Sequence, residues 1–476
     1  MKKISRFSSL AALLFIPAAA TLLPGCKGKE QDTKTGWNYN DSKNGGFDVA
    51  EFQDQETGPG LVLVEGGRFT MGATEQNIGM EMDNIPHTVT VQSFYMDETE
   101  VSNLNYRMYT WWLYKTYGQD PTTLPIYKAA LPDTLVWRRN LAYNEPYVEM
   151  YFRHPAYNNY PVVGVSWKQT QDYCIWRTDR VNETMLEREG FKNQTGQFDA
   201  SNPYNTDAYL AGLVELDGKK KKGKDGTERN ITMEDGILLP SYRLPTEAEW
   251  EFAALALVGN AAGENIEDRK VYPWSGRSMR DGRPGKTQGQ ILANFKRGRG
   301  DYMGIAGRLN DMAAPTAPVL SYYPNDYGLY NMAGNVNEWV QDLYRPLSFQ
   351  DQEDFNSFRG NVFTIPAINA DGQMEKDTAI GPNYNRLRRV ADTVRMIDPY
   401  VLDDQDSIEM YNEKNTLVSN QSRVYKGGGW RDMPYWMSPG SRRFLNENNS
   451  ADDIGFRCAM IRMGSPTGVA AKKKKK

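Results

Sequence analysis

Apolar positions recur at helical spacing in only three long stretches of this chain. In VSNLNYRMYTWWLYKTYG (101–118), aliphatic and aromatic side chains return every three or four residues behind a Ser102/Asn103 start signal, which predicts a helix. SWKQTQDYCIWRTDRVNETMLE (166–187) repeats the pattern behind Ser166 as a cap. PTEAEWEFAALAL (245–257) starts with Pro245 and Thr246 and places carboxylates in the first turn, where the helix dipole favours them. The alternating runs LVLVEGGRFTMG (61–72) and HTVTVQSFYMD (87–97) read as strands. Sparse regular elements of both kinds, separated by many turns and without an internal repeat, predict one α+β domain over residues 58–464.

Two polar stretches break this pattern, 190–236 with its DGKKKKGKDG run and 345–420, and both read as large surface insertions. Residues 465–476 form a solvated basic tail. At the other end, Lys2, Lys3 and Arg6 precede an apolar stretch broken by Pro17 and closed by Leu23-Pro24-Gly25-Cys26. It is too short and interrupted to span a bilayer and reads as a signal peptide over 1–25. It resembles a bacterial lipoprotein signal, which implies cleavage before Cys26 and a lipid on that thiol. Residues 26–57, polar and rich in Gly and Asp, then read as a flexible tether between lipid and domain.

Composition narrows the chemistry. The chain has 476 residues, 39% hydrophobic and 12% aromatic, enough for a full core. A net charge of −4 supplies no basic field for nucleic acid, and a mean hydropathy of −0.67 excludes a multi-span membrane protein. Two histidines and three cysteines are too few for a His-rich catalytic metal site, a four-cysteine zinc site or an iron–sulfur cluster.

The Gly-rich turn KGGGWRDMPYWM (426–437) brings backbone close to an aromatic wall, yet holds no Cys, Ser or His to act as nucleophile or base. GRGDYMG (298–304) lacks the context of a phosphate-binding loop and reads as a surface loop. The acids of DPYVLDDQDSIEMYNE (398–413) read as a solvated face, and His87 as a packed structural residue. If the chain is exported, Cys174 and Cys458 are the remaining pair in an oxidising compartment and most simply form one disulfide; two buried free thiols are the alternative.

VEGGRFTMG, SFYMDETEVSNLNY, PVVGVSWKQTQDYCIW, YRLPTEAEWEFAA, YPWSG, GLYNMAGNVNEWVQD, RVYKGGGW and IGFRCAM follow one another between residues 61 and 460. In that order they resemble the formylglycine-generating-enzyme family of sulfatase-modifying factors. The resemblance implies a compact, irregular α+β fold similar to C-type lectins, and it independently implies the Cys174–Cys458 bond. Enzymes of the family bind copper through two cysteines after the Gly-rich turn, and the matching positions here are Asp432 and Met437. A carboxylate and a lone thioether do not replace a bis-thiolate site for Cu(I), and two histidines cannot supply the triad of the iron-dependent relatives. No copper or iron is therefore expected. Trp430, Asp432, Trp436 and Met437 are read as a degenerate pocket, and the chain as no enzyme.

Calcium is the one cofactor the resemblance implies, as a structural ion. One set of positions is Asn331, Gly334, Val336 and Glu338; a second, across a gap, is Asn294, Phe295, Asp311 and Ala313. A silent, lipidated member with large insertions is most similar to the GldK/PorK-type lipoproteins of the Bacteroidetes type IX secretion and gliding machinery. That implies an outer-membrane lipoprotein facing the periplasm, in a large ring with a GldN/PorN-type partner. A GldJ-like gliding lipoprotein, a lectin-like glycan or peptide binder and a remodelled oxidase are the alternatives.

Overall fold

The computed structural model describes residues 31–50, 52, 54–73, 84–193, 203–258, 270–298, 313, 315–345, 363–365, 395–397 and 421–464. Cys26, Asp311, the loop beyond Gly298, the 398–413 run and the basic tail lie outside them. The chain divides into two compact units, 50–220 with 230–476, and 1–49 with 221–229.

The larger unit opens with strands β1 (Leu61–Val64), β2 (Gly67–Met71), β3 (His87–Val91) and β4 (Phe94–Asp97). Helices α1 (Asn103–Tyr117), α2 (Leu124–Ala130), α3 (Glu145–Met150), α4 (Trp167–Glu189) and α5 (Thr206–Leu210) follow. In the smaller unit, β5 (Lys221–Lys222) and β6 (Glu228–Arg229) make a hairpin. The larger unit resumes with β7 (Tyr242–Arg243), α6 (Glu247–Leu255), β8 (Asn337–Leu343), β9 (Phe363–Ile365) and β10 (Arg395–Ile397). It closes with β11 (Ser422–Lys426), β12 (Arg443–Asn446), β13 (Ile454–Gly455) and β14 (Ala459–Ile461).

The helix starts coincide with the sequence signals. Ser102 caps α1 by accepting from the Asn105 amide at 3.3 Å. At α4, Ser166 and Gln169 exchange hydrogen bonds as a capping box, and Gly190 at φ 80° ends the helix. Thr246 and Glu249 do the same for α6. These exchanges satisfy amides that the first turn leaves unpaired.

Two four-stranded sheets carry the unit, in the orders β1-β4-β14-β7 and β12-β11-β8-β13. Within the second, β13 runs parallel to β8 and the other pairs are antiparallel. Helices α1 and α4 bury an aromatic cluster: Tyr106 stacks on Tyr173 at 5.6 Å, Tyr109 meets Trp176 at 5.3 Å, and Phe456 packs edge-on against Tyr173. Trp250 and Phe252 of α6 face a second core with Phe69, Val89 and Phe94. His87 is buried, with its Nδ1 2.9 Å from the Ile85 carbonyl.

The smaller unit is folded where it is described. Asp41 caps a 3-10 turn at Ser42–Asn44, and the Asn40 amide donates to the Phe47 carbonyl at 2.7 Å. The Lys224 amide donates to Asp48 at 3.2 Å. Part of the stretch read as a tether, 31–49, therefore packs on the β5–β6 hairpin of the first insertion instead of running free.

Candidate functional site

Three sequence motifs meet at Glu338, which β8 buries completely. Arg457 donates from Nε to Oε2 at 2.7 Å and from Nη2 to Oε1 at 2.6 Å, and Trp250 Nε1 donates to Oε2 at 2.7 Å. The same guanidinium reaches the Asp97 and Tyr330 carbonyls. A second buried carboxylate, Glu100, accepts from Asn331 Nδ2 and Asn335 Nδ2, each at 2.9 Å. Both asparagines sit in the left-handed region, at φ 53° and 65°, where a short amide side chain bonding locally is tolerated. Burial is the main influence on Glu100; the Arg457 charge opposes it and Glu338 adds to it, so the carboxyl is pushed up to about 8.

The Gly-rich turn leaves β11 into a different environment. Asp432 accepts from Arg443 Nη1 at 2.8 Å and Nη2 at 2.5 Å, from Asn337 Nδ2 at 3.0 Å and from the Gly429 amide at 2.8 Å. Burial alone would raise this carboxyl. The hydrogen bonds and charge of Arg443, with Asn337 and the Gly429 amide, outweigh burial and hold it below the usual carboxylate range. Asp432 is thus an ionised anchor that accepts four hydrogen bonds from the protein. Arg443 also lies 4.6 Å over the Trp436 ring. Met437 is fully buried and packs with Ile291, Ala293, Phe295 and Ala333. Gly428, at φ 70°, is required beside it, because a Cβ there would come within 2.6 Å of Met437 Cε. Trp430 stacks on Trp137 at 6.0 Å and donates from Nε1 to the Asp452 carbonyl. Of the four residues read as a degenerate pocket, Asp432 and Met437 are absorbed by different neighbours.

The two calcium sets give different answers. In the first, both Glu338 oxygens accept from Arg457, and the Asn331 amide group is turned to Glu100 and Val319. A calcium ion on that carboxylate would sit against a guanidinium, so Asn331, Gly334, Val336 and Glu338 do not fit the ion. In the second, Asn294 is 1% exposed, donates to the Pro315 carbonyl at 2.9 Å and leaves its Oδ1 without a partner among the described residues. A buried acceptor with no donor fits an oxygen ligand. Phe295, the next residue, and Ala313 are both buried, and Asp311 lies outside the described residues.

Cys174 and Cys458 are brought together inside the aromatic core, Sγ to Sγ at 3.5 Å. Both are buried free thiols in this structure, side by side where the expected bond would join them. Burial pushes the Cys458 thiol up and so disfavours its thiolate. A cavity of about 460 Å³ opens between segments 273–283 and 322–333, lined by Trp274, Arg283, Tyr323 and Asn331 among others. None of Trp430, Asp432, Trp436 and Met437 lines it.

The model of the "Sulfatase-modifying factor enzyme 1-like domain" matches residues 46–461. The chain belongs to the sulfatase-modifying factor family. Among relatives, it is 24% identical to the mouse formylglycine-generating enzyme over 310 residues, covering 62% of this chain and 61% of the mouse protein. It therefore spans less than two thirds of that relative's length. It is 25% identical over 318 residues to the mouse "Inactive C-alpha-formylglycine-generating enzyme 2", covering 63% of this chain and 73% of that one. The solved structure of PvdO from Pseudomonas aeruginosa is similar at TM-score 0.39 and 17% identity, over 84% of this chain and 94% of that one. The sulfatase-modifying factor family thus holds both enzymes and inactive members. Sequence reading did not single out Glu100, Asn335, Asn337 or Arg443. The two asparagines of NMAGN, spaced for a turn, were the available signal for Asn335; for Arg443 there was none.

Proposed function

We propose that this family member is a non-catalytic scaffold. In this reading it is an outer-membrane lipoprotein, anchored through Cys26 with its domain facing the periplasm. It forms a ring with a GldN/PorN-type partner in the type IX secretion and gliding machinery, as the GldK/PorK-type lipoproteins do. One observation carries the non-catalytic half. The two positions that hold copper in the enzymes are a four-bonded carboxylate at Asp432 and a core thioether at Met437. The scaffold half is supported by the outer face of α1. Leu104, Met108, Trp111 and Tyr114 are 47, 56, 52 and 42% exposed there at helical spacing, while Tyr106, Tyr109 and Leu113 fill the core. An apolar helical stripe of this kind suits a groove on a partner. Calcium enters this reading as a structural ion held at Asn294, Phe295, Asp311 and Ala313, where it would answer the unpartnered Asn294 oxygen. No described helix is long and apolar enough to cross a membrane.

Affinity capture from detergent-solubilised envelopes, followed by mass spectrometry, tests the scaffold: a periplasmic ring protein should co-purify, and Met108→Ala with Trp111→Ala should weaken its recovery. Purified protein given Cu(I), oxygen and a sulfatase-type Cys peptide should form no formylglycine. Product formation would return the chain to the enzymes. The second reading, a glycan or peptide binder, is favoured by the cavity, where Trp274 stacks on Tyr272 at 5.1 Å and Tyr323 is exposed. Binding in a glycan array that is lost in Trp274→Ala would establish it.

A further inference from the structure

The smaller unit exposes large aromatic side chains without apparent use. Trp37 is 64% exposed, Phe47 67% and Val49 43%, although backbone and side-chain bonds hold the segment in a defined turn. Trp37 Nε1 donates to the Asn44 carbonyl at 3.2 Å, which pins one edge of the indole and leaves its faces open. Phe47 follows Gly46, whose backbone abuts Asp225 of the hairpin, and precedes Asp48, which accepts from the Lys224 amide. The aromatics of the turn and the lysines of the hairpin therefore share one small surface.

Most carboxylates of that surface are already engaged. Asp32 accepts from the Thr35 amide and hydroxyl, Asp41 from the Lys43 amide and Asn44 Nδ2, and Asp48 from the Lys224 amide with Arg229 3.6 Å away. The exposed Asp225 accepts from the Thr227 amide and hydroxyl, and the exposed Glu228 lies 3.6 Å from Lys222. Lys34, Lys43 and Lys224 are exposed and carry no ion pair among the described residues. Exposed Trp and Phe flanked by free lysines are the combination suited to a bilayer interface. The rings enter the boundary between headgroups and acyl chains, and the ammonium groups meet lipid phosphates.

We propose that this unit rests on the phospholipid bilayer, with Trp37 and Phe47 inserted at the headgroup level and Lys34, Lys43 and Lys224 against lipid phosphates. The proposal rests on the reading that Cys26 is lipidated. Trp37 lies eleven positions after Cys26, so even a fully extended chain keeps its backbone within about 40 Å of the anchor. The unit would be a second membrane contact beside the acyl anchor, fixing where the chain leaves the surface.

The test uses the full chain carrying Cys26→Ser, so that no acyl chain contributes, and sedimentation with vesicles of phosphatidylethanolamine containing a minority of phosphatidylglycerol. The unlipidated chain should sediment with the vesicles, and Trp37→Ala with Phe47→Ala should lower its partition roughly tenfold. Lys43→Glu with Lys224→Glu, which alters only exposed side chains, should lower it at low salt and have less effect at high salt. Met108→Ala with Trp111→Ala, on the exposed face of α1, should leave it unchanged. No sedimentation of the Cys26→Ser chain, or equal sedimentation of all these variants, overturns the proposal. Palmitate labelling of the unsubstituted chain tests the anchor separately: labelled protein with no vesicle binding by the Cys26→Ser chain refutes this contact alone, and vesicle binding without labelling refutes the anchor alone.

Discussion

Arg457 closes a two-pronged ion pair on Glu338 from 119 residues away in sequence, and both groups are fully buried. Removing one partner strands the other charge in the core. Arg457→Met should destabilise the domain by about 3–5 kcal/mol. Arg457→Met with Glu338→Gln should cost clearly less than the sum of the two single changes, because both remove one interaction. Urea denaturation of the four proteins measures this; strict additivity would show that the pair is not coupled.

Cys174 and Cys458 are adjacent enough to be oxidised with little movement. Oxidation should stabilise the fold and raise its midpoint of denaturation, the gain being about 5–6 kcal/mol in the chain-entropy picture for so long a loop. Cys174→Ser and Cys458→Ser should each abolish the difference between oxidised and reduced protein. Peptide mapping without reductant reads the bond directly, and two free thiols in periplasmic material would refute this expectation.

Folded Glu100 keeps its proton to about 8, whereas the ordinary glutamate value is 4.5. Between those values the folded state binds more protons than the unfolded one, so stability falls as pH rises through the window and levels off above it. Asp453, raised by burial to about 6, adds to the fall at its acidic end. Denaturation midpoints from pH 4.5 to 8.5 should decline in the unsubstituted protein and decline much less in Glu100→Gln. Parallel curves would mean that another group sets the slope.

Asp432 holds Arg443 and the Gly429 amide at once. Asp432→Ala should therefore lower stability by about 2–3 kcal/mol, through the half-buried Arg443 guanidinium left without its carboxylate and the buried Gly429 amide left without an acceptor. In the scaffold reading, secretion falls only as far as folded, assembled protein falls. A variant that is folded, assembled and still inactive in secretion would return a chemical role to this turn.

Calcium should raise the melting temperature and chelation should reverse the rise, as for any ion that binds only the folded state. Asn294→Ala should remove that response, and Glu338→Gln should leave it intact while lowering the melting temperature overall. A response lost in Glu338→Gln but kept in Asn294→Ala would contradict the assignment.

Local signals were readable from the sequence because they are satisfied locally. Ser102, Ser166 and Thr246 cap the helices they announce, and the alternating runs become β1 to β4. The pairing of distant carboxylates was not readable. Glu338 carries the same side chain whether it faces a metal ion or Arg457, and only the burial of both at one point decides it. The resemblance sets Asp432 at a ligand position of the enzymes, yet the Arg443 that pairs with it comes from β12, where an exposed and a half-buried arginine look alike in sequence. The 31–49 segment reads as linker by composition, and its order depends on a hairpin nearly two hundred residues later.

Strand β14 lies between β4 and β7, with Met96 opposite Ala459, and the Cys458 amide bonds to Asp97 across 361 residues. The first sheet therefore cannot close until almost the whole domain has been made. At about 5–20 residues per second of synthesis, the edge of β4 waits roughly 20–70 s for its neighbour. During that interval β1 and β4 form an open hairpin with one unpaired edge, the kind of surface a chaperone binds and a second nascent chain can join. A late-arriving strand also makes completion of the fold a report on the integrity of the chain's far end, because a product that stops before Ala459 presents that edge permanently.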